Sequence, residues 1–354
     1  LKDPQIVDLG QNARLIHLKA GEDEEINKLA VYAYLPDFAC NVENFRKHDG
    51  RQYDLVFSHY WLSGWAGKSL QQWWQVPHII MFHTLGAVKN TIGMGEDEPE
   101  LRIETERDLA QHCNHIIAST EQEKKELMLH YGAPPQSISI VPCGVNLELF
   151  HPMDKEIARQ QLGFVDDKLV LFVGRIEPLK GIEQLLKAMP YWPNNQRPRL
   201  VIVGGDEHSQ DELESLHELS RQLEIQDSVT FSGLIKHEQT PYFYSAADVC
   251  VVPSYYESFG LTALESLACG TPVVATDVGA FKSVIRQGET GYVVQDNAPC
   301  RLADKIALLL DRPSPDTEAT LSIRASVSQF SWPNIAETII KEFRLVLAQF
   351  GSAP

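Results

Sequence analysis

Short runs of apolar, β-branched residues alternate with amphipathic helical stretches along nearly the whole chain. The runs fall at 13–18, 54–58, 78–82, 115–119 and 138–141, then at 169–173, 200–203, 229–231, 248–252 and 272–275. Most are apolar throughout, the pattern of strands covered on both faces. Polar segments such as 120–131 and 210–223 separate them and carry helical periodicity. Strand–helix–strand alternation of this kind closes into parallel sheets with right-handed crossovers. The expected fold class is α/β, with doubly wound parallel sheets. At about 150 residues per domain, 354 residues point to two domains.

The break between them is expected at Pro142-Cys143-Gly144-Val145-Asn146, where Pro and Gly punctuate the pattern and a helix at 155–162 follows. This places one domain at 1–145 and a second at 146–331. Two such domains would leave a cleft at the carboxyl ends of their strands, where open α/β sheets bind ligands. The first half opens directly on a strand, without the glycine loop and helix that usually begin such a domain.

Charge narrows the partners. Lys and Arg number 31 against 48 Asp and Glu, a net charge of -17. An acidic surface repels phosphate backbones, so nucleic acid and anionic membranes are not expected partners, although a local basic pocket for a small anion is allowed. No apolar run approaches the about 20 residues of a membrane span. The six cysteines form no Cys-x-x-Cys pair, which reads as reduced, buried thiols of a cytoplasmic protein. The histidines show no metal-ligand spacing.

The strongest local signal is Pro253-Ser254-Tyr255-Tyr256-Glu257-Ser258-Phe259-Gly260-Leu261-Thr262-Ala263-Leu264-Glu265, running on to Gly270 and Pro272. A buried strand ends, a polar turn follows, and a helix runs to Gly270, with Leu261, Leu264 and Ala268 expected on the sheet-facing side. The amides of Ser258, Phe259, Gly260 and Leu261 would then stand at a helix N-terminus, suited to a phosphate or diphosphate. Glu257 on the turn and Glu265 two turns in can accept from sugar hydroxyls. For any isolated pair of glutamates, a cap and a solvated face would be the preferred reading. Here the strand–turn–helix context reverses it.

The second signal is Gly174-Arg175-Ile176-Glu177-Pro178-Leu179-Lys180-Gly181, also where a strand ends. Gly174 permits close backbone approach, while Arg175 and Lys180 supply two cations for a diphosphate. Neither a Walker loop nor a Gly-x-Gly-x-x-Gly is present. In the first half, His59-Tyr60-Trp61 and His83-Thr84-Leu85-Gly86-Ala87-Val88-Lys89 each follow a strand. A histidine there can donate to a sugar hydroxyl or to developing negative charge, though singly each is more often structural.

Together these stretches resemble the retaining glycosyltransferases of family 4, which have the GT-B fold of two Rossmann-like domains facing a cleft. Glu257 to Glu265 matches the family's Glu-x7-Glu motif, and Gly174-Arg175-x4-Lys180 its second motif. The resemblance implies that Arg175 and Lys180, with Gly174 and the amides of Ser258 to Leu261, bind the donor diphosphate. It implies Glu265 on the nucleotide ribose, and Glu257 and His83 at the donor sugar as the catalytic pair. It further implies a closing helix, 332–354, completing the first domain, and chemistry that needs no metal or other cofactor and no protein nucleophile. Within the family, the His59 and His83 segments are most similar to D-inositol-3-phosphate glycosyltransferase and sucrose-phosphate synthase subgroups. Their acceptor-phosphate residues map onto Lys28, Tyr60 and Thr84, with Lys89 added from the same segment. A fourth, an arginine, falls on Leu101, with Arg102 beside it. The family's amino-terminal strand and Gly-Gly loop have no counterpart in this sequence.

The expected activity is transfer of a hexosyl group, with retention, from a nucleotide sugar, on family frequency a UDP-sugar. The acceptor is expected to be a small sugar or sugar phosphate. Two alternatives stay open at this level: a nucleotide-sugar epimerase of GT-B fold, and a nucleotide-sugar-binding protein without turnover.

Overall fold

The computed structural model describes residues 4–21, 26–94, 96–164, 168–206, 209–313 and 316–351. The chain divides into two compact units: Leu1–Val88, Glu98–Ile140 and Ile339–Pro354 in the first, Lys89–Asp97 and Val141–Thr338 in the second.

In the first unit the 13–18 run joins no parallel sheet. Strand β1 (Gln5–Gly10) and β2 (Ala13–His17) pair antiparallel in a two-stranded ribbon. Gly10, Gln11 and Asn12 take positive φ values of 78°, 47° and 66° and reverse the chain between them. Arg14, Leu15, Ile16 and His17 alternate between exposed and half-buried, the signature of a ribbon with one covered face. The parallel sheet is built instead from β3 (Val56–His59), β4 (His78–Met81), β5 (His115–Ala118) and β6 (Ile138–Ile140), in that order. Ile79, Ile80, Ile116 and Ile117 are fully buried at its centre. The helix Tyr60–Trp74 lies hard against β4 because it presents Gly64 and Gly67 there: a Cβ on Gly67 would stand 2.5 Å from the His78 ring.

The second unit has six parallel strands: β7 (Leu169–Val173), β8 (Arg199–Val203), β9 (Val229–Gly233), β10 (Val249–Val252), β11 (Val273–Thr276) and β12 (Gly291–Val294). Their spatial order is β12-β11-β10-β7-β8-β9. Read from the β9 edge this is 3-2-1-4-5-6, the Rossmann order, whose direction of winding reverses between β7 and β10. Two apolar layers cover the sheet, one containing Leu171, Val201, Cys250 and Leu264, the other Val170, Ile202, Val251 and Leu302. Strand β12 escapes the periodicity reading because it is four residues long and follows β11 across only a one-turn helix, Phe281–Val284.

The helices at Lys155–Leu162, Glu121–Tyr131 and Gln210–Gln222 form where the sequence predicts them. Asp154 and Thr120 cap the first two, accepting from the amides of Ile157 and Glu123. The final helix, Trp332–Phe350, counts with the first unit from Ile339 onward. Phe343 meets Phe57 of β3 edge-on at 5.0 Å. Glu342 lies 3.6 Å from His115 Nε2 on β5. The cysteines are all free, but only Cys250 and Cys269 are buried; Cys40 and Cys300 are exposed, correcting the expectation of uniformly buried thiols.

His78 opens β4 wholly buried, sharing a 2.6 Å hydrogen bond with Ser58 Oγ. Burial holds its imidazole down at about 4 from an ordinary 6.5. The unfolded chain therefore takes up a proton that the folded one refuses. This contribution to stability is complete above pH about 6.5 and is lost as pH falls toward 4, at about 1.4 kcal/mol per pH unit. Chemical denaturation at pH 7 and pH 5 should show that decline, and His78→Gln should flatten it.

Candidate active site

Strands β7 and β10 are neighbours at the reversal point, and the loops after them carry both second-half motifs. The β7 loop runs through Gly174 and Arg175 into a single 3-10 turn, Pro178–Lys180, and ends at Gly181 with φ 65°. The β10 loop runs from Pro253 to Gly260, φ 101°, and enters the helix Leu261–Ala268. A side chain at Gly181 would begin 2.2 Å from the Pro253 carbonyl oxygen, and one at Gly260 2.1 Å from the Phe281 ring. Only glycine combines that backbone with that approach. The amide of Tyr255 donates to Leu179 O at 2.9 Å, and the amide of Ala280 donates to Phe259 O at 2.9 Å. Three loops are thereby bound into one surface.

On that surface Lys180 and Glu257, 77 residues apart, form an ion pair of 2.7 Å, each side chain 15% exposed. Ser254 Oγ donates to the same Glu257 oxygen at 2.9 Å. Arg175 extends into solvent, 69% exposed, and pairs with Glu177 at 3.0 Å. Gly260, the N-cap of the Leu261–Ala268 helix, has no side chain with which to cap it. Glu265 does not lie on a solvated face. Its carboxylate accepts from the hydroxyl of fully buried Tyr244 at 2.8 Å and has His237 Nε2 at 3.6 Å on the other oxygen. Burial pushes its carboxyl above the usual range, against the lowering effect of these two partners. Leu264 and Ala268 are wholly buried as expected, whereas Leu261 is 45% exposed. It stands at the first helical position, ahead of the sheet-facing stripe, and Phe259, 5% exposed, fills the core beneath the turn.

In the first unit, β3 and β4 are each followed closely by a strained residue. Tyr60 and His83 adopt left-handed backbones, φ 75° and 64°, a conformation that costs a non-glycine residue about 1–3 kcal/mol. Ser63 Oγ donates to the carbonyls of His59 and Tyr60 and holds the first of these turns. The rings of His59 and His83 lie edge to edge, their planes 15° apart and centroids at 5.0 Å, and His59 Nδ1 and His83 Nε2 share a hydrogen bond of 2.8 Å.

Tyr60 and Thr84 converge on Arg102, the arginine that the sequence places beside Leu101. Arg102 sits in the helix Glu100–His112 and is 2% exposed. Its Nη2 donates to Thr84 Oγ1 at 2.9 Å and to Thr84 O at 3.1 Å, and its guanidinium lies 5.1 Å over the Tyr60 ring. Nη1 pairs with Glu98 at 2.8 Å and Nε with buried Glu106 at 2.7 Å. Glu106 also accepts from the Gly86 amide and from Tyr131, whose hydroxyl in turn accepts from the Ala87 amide. Lys28 opens the one-turn helix Lys28–Val31, but its side chain lies outside the described residues. Lys89 lies in the helix Gly86–Ile92 and is counted with the second unit. Among the described residues, no group of three or more His, Cys, Asp or Glu side chains is arranged to hold a metal ion.

Two family models match the chain: "Glycosyltransferase Family 4" over residues 26–149 and "Glycosyl transferases group 1" over 154–325. A D-inositol 3-phosphate glycosyltransferase of Catenulispora acidiphila is 39% identical over 339 residues, 93% of this chain and 79% of the relative. The enzyme of that name from Mycobacterium tuberculosis is 35% identical, covering 99% of this chain and 74% of its own. Among solved structures, a sucrose-phosphate synthase from Thermosynechococcus elongatus superposes with a TM-score of 0.86 at 34% identity, over 98% of this chain and 87% of the other. HepE of Anabaena, solved with UDP and glucose, gives 0.75 at 21% identity over 91% and 84%, a likeness of fold.

Arg102→Ala would leave Glu106 as a buried, uncompensated carboxylate. We expect a loss of about 3–5 kcal/mol in unfolding free energy, read by urea denaturation. Glu106→Gln, made together with it, should recover part of that loss.

Proposed function

This chain belongs to the family 4 glycosyltransferases, with the GT-B fold, and from that premise we propose a specific donor, acceptor and stereochemistry for its transfer reaction. The donor is a nucleotide sugar, a UDP-hexose on family grounds. The acceptor is a small hydroxylated molecule bearing a phosphate, in keeping with the names of the D-inositol 3-phosphate glycosyltransferases and the sucrose-phosphate synthase it resembles. Transfer proceeds with retention and without a metal, in the cytoplasm. Among the described residues no helix is long and apolar enough to cross a membrane, and the cysteines are free thiols.

The observation that carries this reading is the Lys180–Glu257 ion pair beside an uncapped helix N-terminus. A diphosphate offers Lys180 a stronger partner than one carboxylate does, and Arg175 is exposed enough to join it. Drawing Lys180 toward the diphosphate frees an oxygen of Glu257, which Ser254 continues to orient, to accept from a hydroxyl of the donor sugar. Glu265, held by Tyr244, presents its other oxygen to the ribose hydroxyls. These cations and helix amides offset the diphosphate charge, the task a metal performs in other transferases. In the first unit, His83 contacts the donor sugar, and Tyr60 and Thr84, with Lys28, bind the acceptor; Lys89, counted with the second unit, joins them. The leaving phosphate takes the acceptor's proton as the new bond forms on the face it departs from, so no side chain need act as nucleophile.

The decisive experiment is a screen of nucleotide sugars against phosphorylated and unphosphorylated acceptors, reading nucleoside diphosphate release, with the product anomer read by NMR. Retention, acceptor-dependent release and indifference to EDTA are expected. An inverted anomer, loss of rate in EDTA, or equal rates on both acceptor forms would each remove the corresponding part of the proposal. Lys180→Ala and Glu265→Ala should each weaken donor binding, the lysine change by roughly ten- to a hundredfold in calorimetry with little change in thermal stability, whereas Glu265→Ala also lowers the melting temperature because it leaves the buried Tyr244 hydroxyl without its acceptor.

A further inference from the structure

The mapped site residues include His83 but not its neighbour. We propose that His59 is a positioning residue that fixes the tautomer of His83, so that His83 Nδ1 carries a hydrogen and donates it to a ligand oxygen. The inference rests on the reading of His83 as a contact of the donor sugar.

The geometry leaves few arrangements. The 2.8 Å separation of His59 Nδ1 and His83 Nε2 holds one hydrogen between two nitrogens. A neutral imidazole has one donor and one acceptor nitrogen, so the location of that hydrogen dictates the other end of each ring. If it belongs to His59, then His83 Nε2 accepts, and the hydrogen of His83 resides on Nδ1. If it belongs to His83, then Nδ1 is a bare lone pair, unable to donate. The pair thus converts a choice made at His59 into donor or acceptor character at the far nitrogen of His83, with no change of net charge. A sugar hydroxyl can meet either form, but phosphate oxygens can only accept. The donor form is therefore the one that can meet every oxygen of a nucleotide sugar.

Several features keep the pair neutral and in register. The edge of Phe57 packs on the His59 ring at 4.3 Å and offers no competing hydrogen bond. Arg102 grips the residues that follow both histidines, stacking over Tyr60 and binding Thr84. Both rings keep an exposed edge, yet partial desolvation, reinforced by His59, lowers His83 to about 4, and desolvation lowers His59 as well. The left-handed backbones at Tyr60 and His83 show that the chain accepts local strain to place these rings together.

Two substitutions separate positioning from packing. His59→Asn places an amide N–H where the imidazole Nδ1 stands, while His59→Phe keeps a ring and offers no hydrogen bond. Ring-nitrogen NMR of histidine-labelled protein should show His83 with Nδ1 protonated in the native chain and in His59→Asn, and with Nε2 protonated in His59→Phe. With a nucleotide sugar and a turnover assay, kcat should fall by about tenfold or more in His59→Phe and return to within about threefold in His59→Asn, with thermal melts confirming that both fold. An unchanged His83 spectrum in His59→Phe, or equal impairment of the two variants, overturns the proposal. The spectrum needs no turnover, so failure of the functional reading would show in the assay alone.

Discussion

The second unit depends on how closely its three loops approach one another at the carboxyl ends of the strands. Gly181 passes so near the Pro253 carbonyl, and Gly260 so near the Phe281 ring, that any side chain at either point would separate them. Because they touch, the Tyr255 and Ala280 amides can bridge from loop to loop, and buried Asn297 can donate to the Pro253 carbonyl at 3.0 Å. Lys180 and Glu257 meet only as a consequence. A carboxylate and an ammonium held on separate flexible loops would lose most of their attraction to water and conformational freedom. Fixed to a surface of this rigidity, they form a site that a diphosphate and a sugar can divide between them.

The first unit reaches the same end by burying charge. Arg102 and Glu106 are almost wholly inside, an arrangement whose desolvation cost is offset only when every polar atom finds a partner. Thr84, Gly86, Glu98 and Tyr131 supply those partners, the Ala87 amide donates in turn to Tyr131, and Thr84, Gly86 and Ala87 all come from the loop and helix that follow β4. The network therefore pins the segment that carries His83. Stability and placement are served by one set of hydrogen bonds, which is why strain at His83 can persist.

The overall acidity does not contradict an anionic substrate. Charges on exposed surfaces are screened within about 8 Å at physiological salt. In the proposed reading, Lys180, Arg175 and the helix dipole act at contact distance, where local geometry outweighs the mean field. The same acidity disfavours long nucleic acids, which must be neutralised along an extended face.

What the sequence determined by itself was local. Buried strands such as β7 announce themselves because five apolar residues in succession satisfy a strand covered on both faces, and Asp154 or Thr120 marks a helix start because its side chain reaches an amide three residues on. The placing of Gly174, Arg175, Lys180 and Glu257 after strands, and of Glu265 in the helix that follows, was legible for the same reason, and so was the family. The antiparallel ribbon at the start was not, since a six-residue strand and a turn with three left-handed residues leave no periodicity long enough to read. Nor was the pairing of Lys180 with Glu257, of Tyr244 with Glu265, or of Arg102 with both Tyr60 and Thr84. Those contacts join residues 18 to 77 positions apart, and nothing in the local pattern distinguishes a buried guanidinium from a solvated one. Propensity and periodicity act over a few residues through the backbone, whereas side-chain partners are chosen by which elements the folded sheets bring side by side.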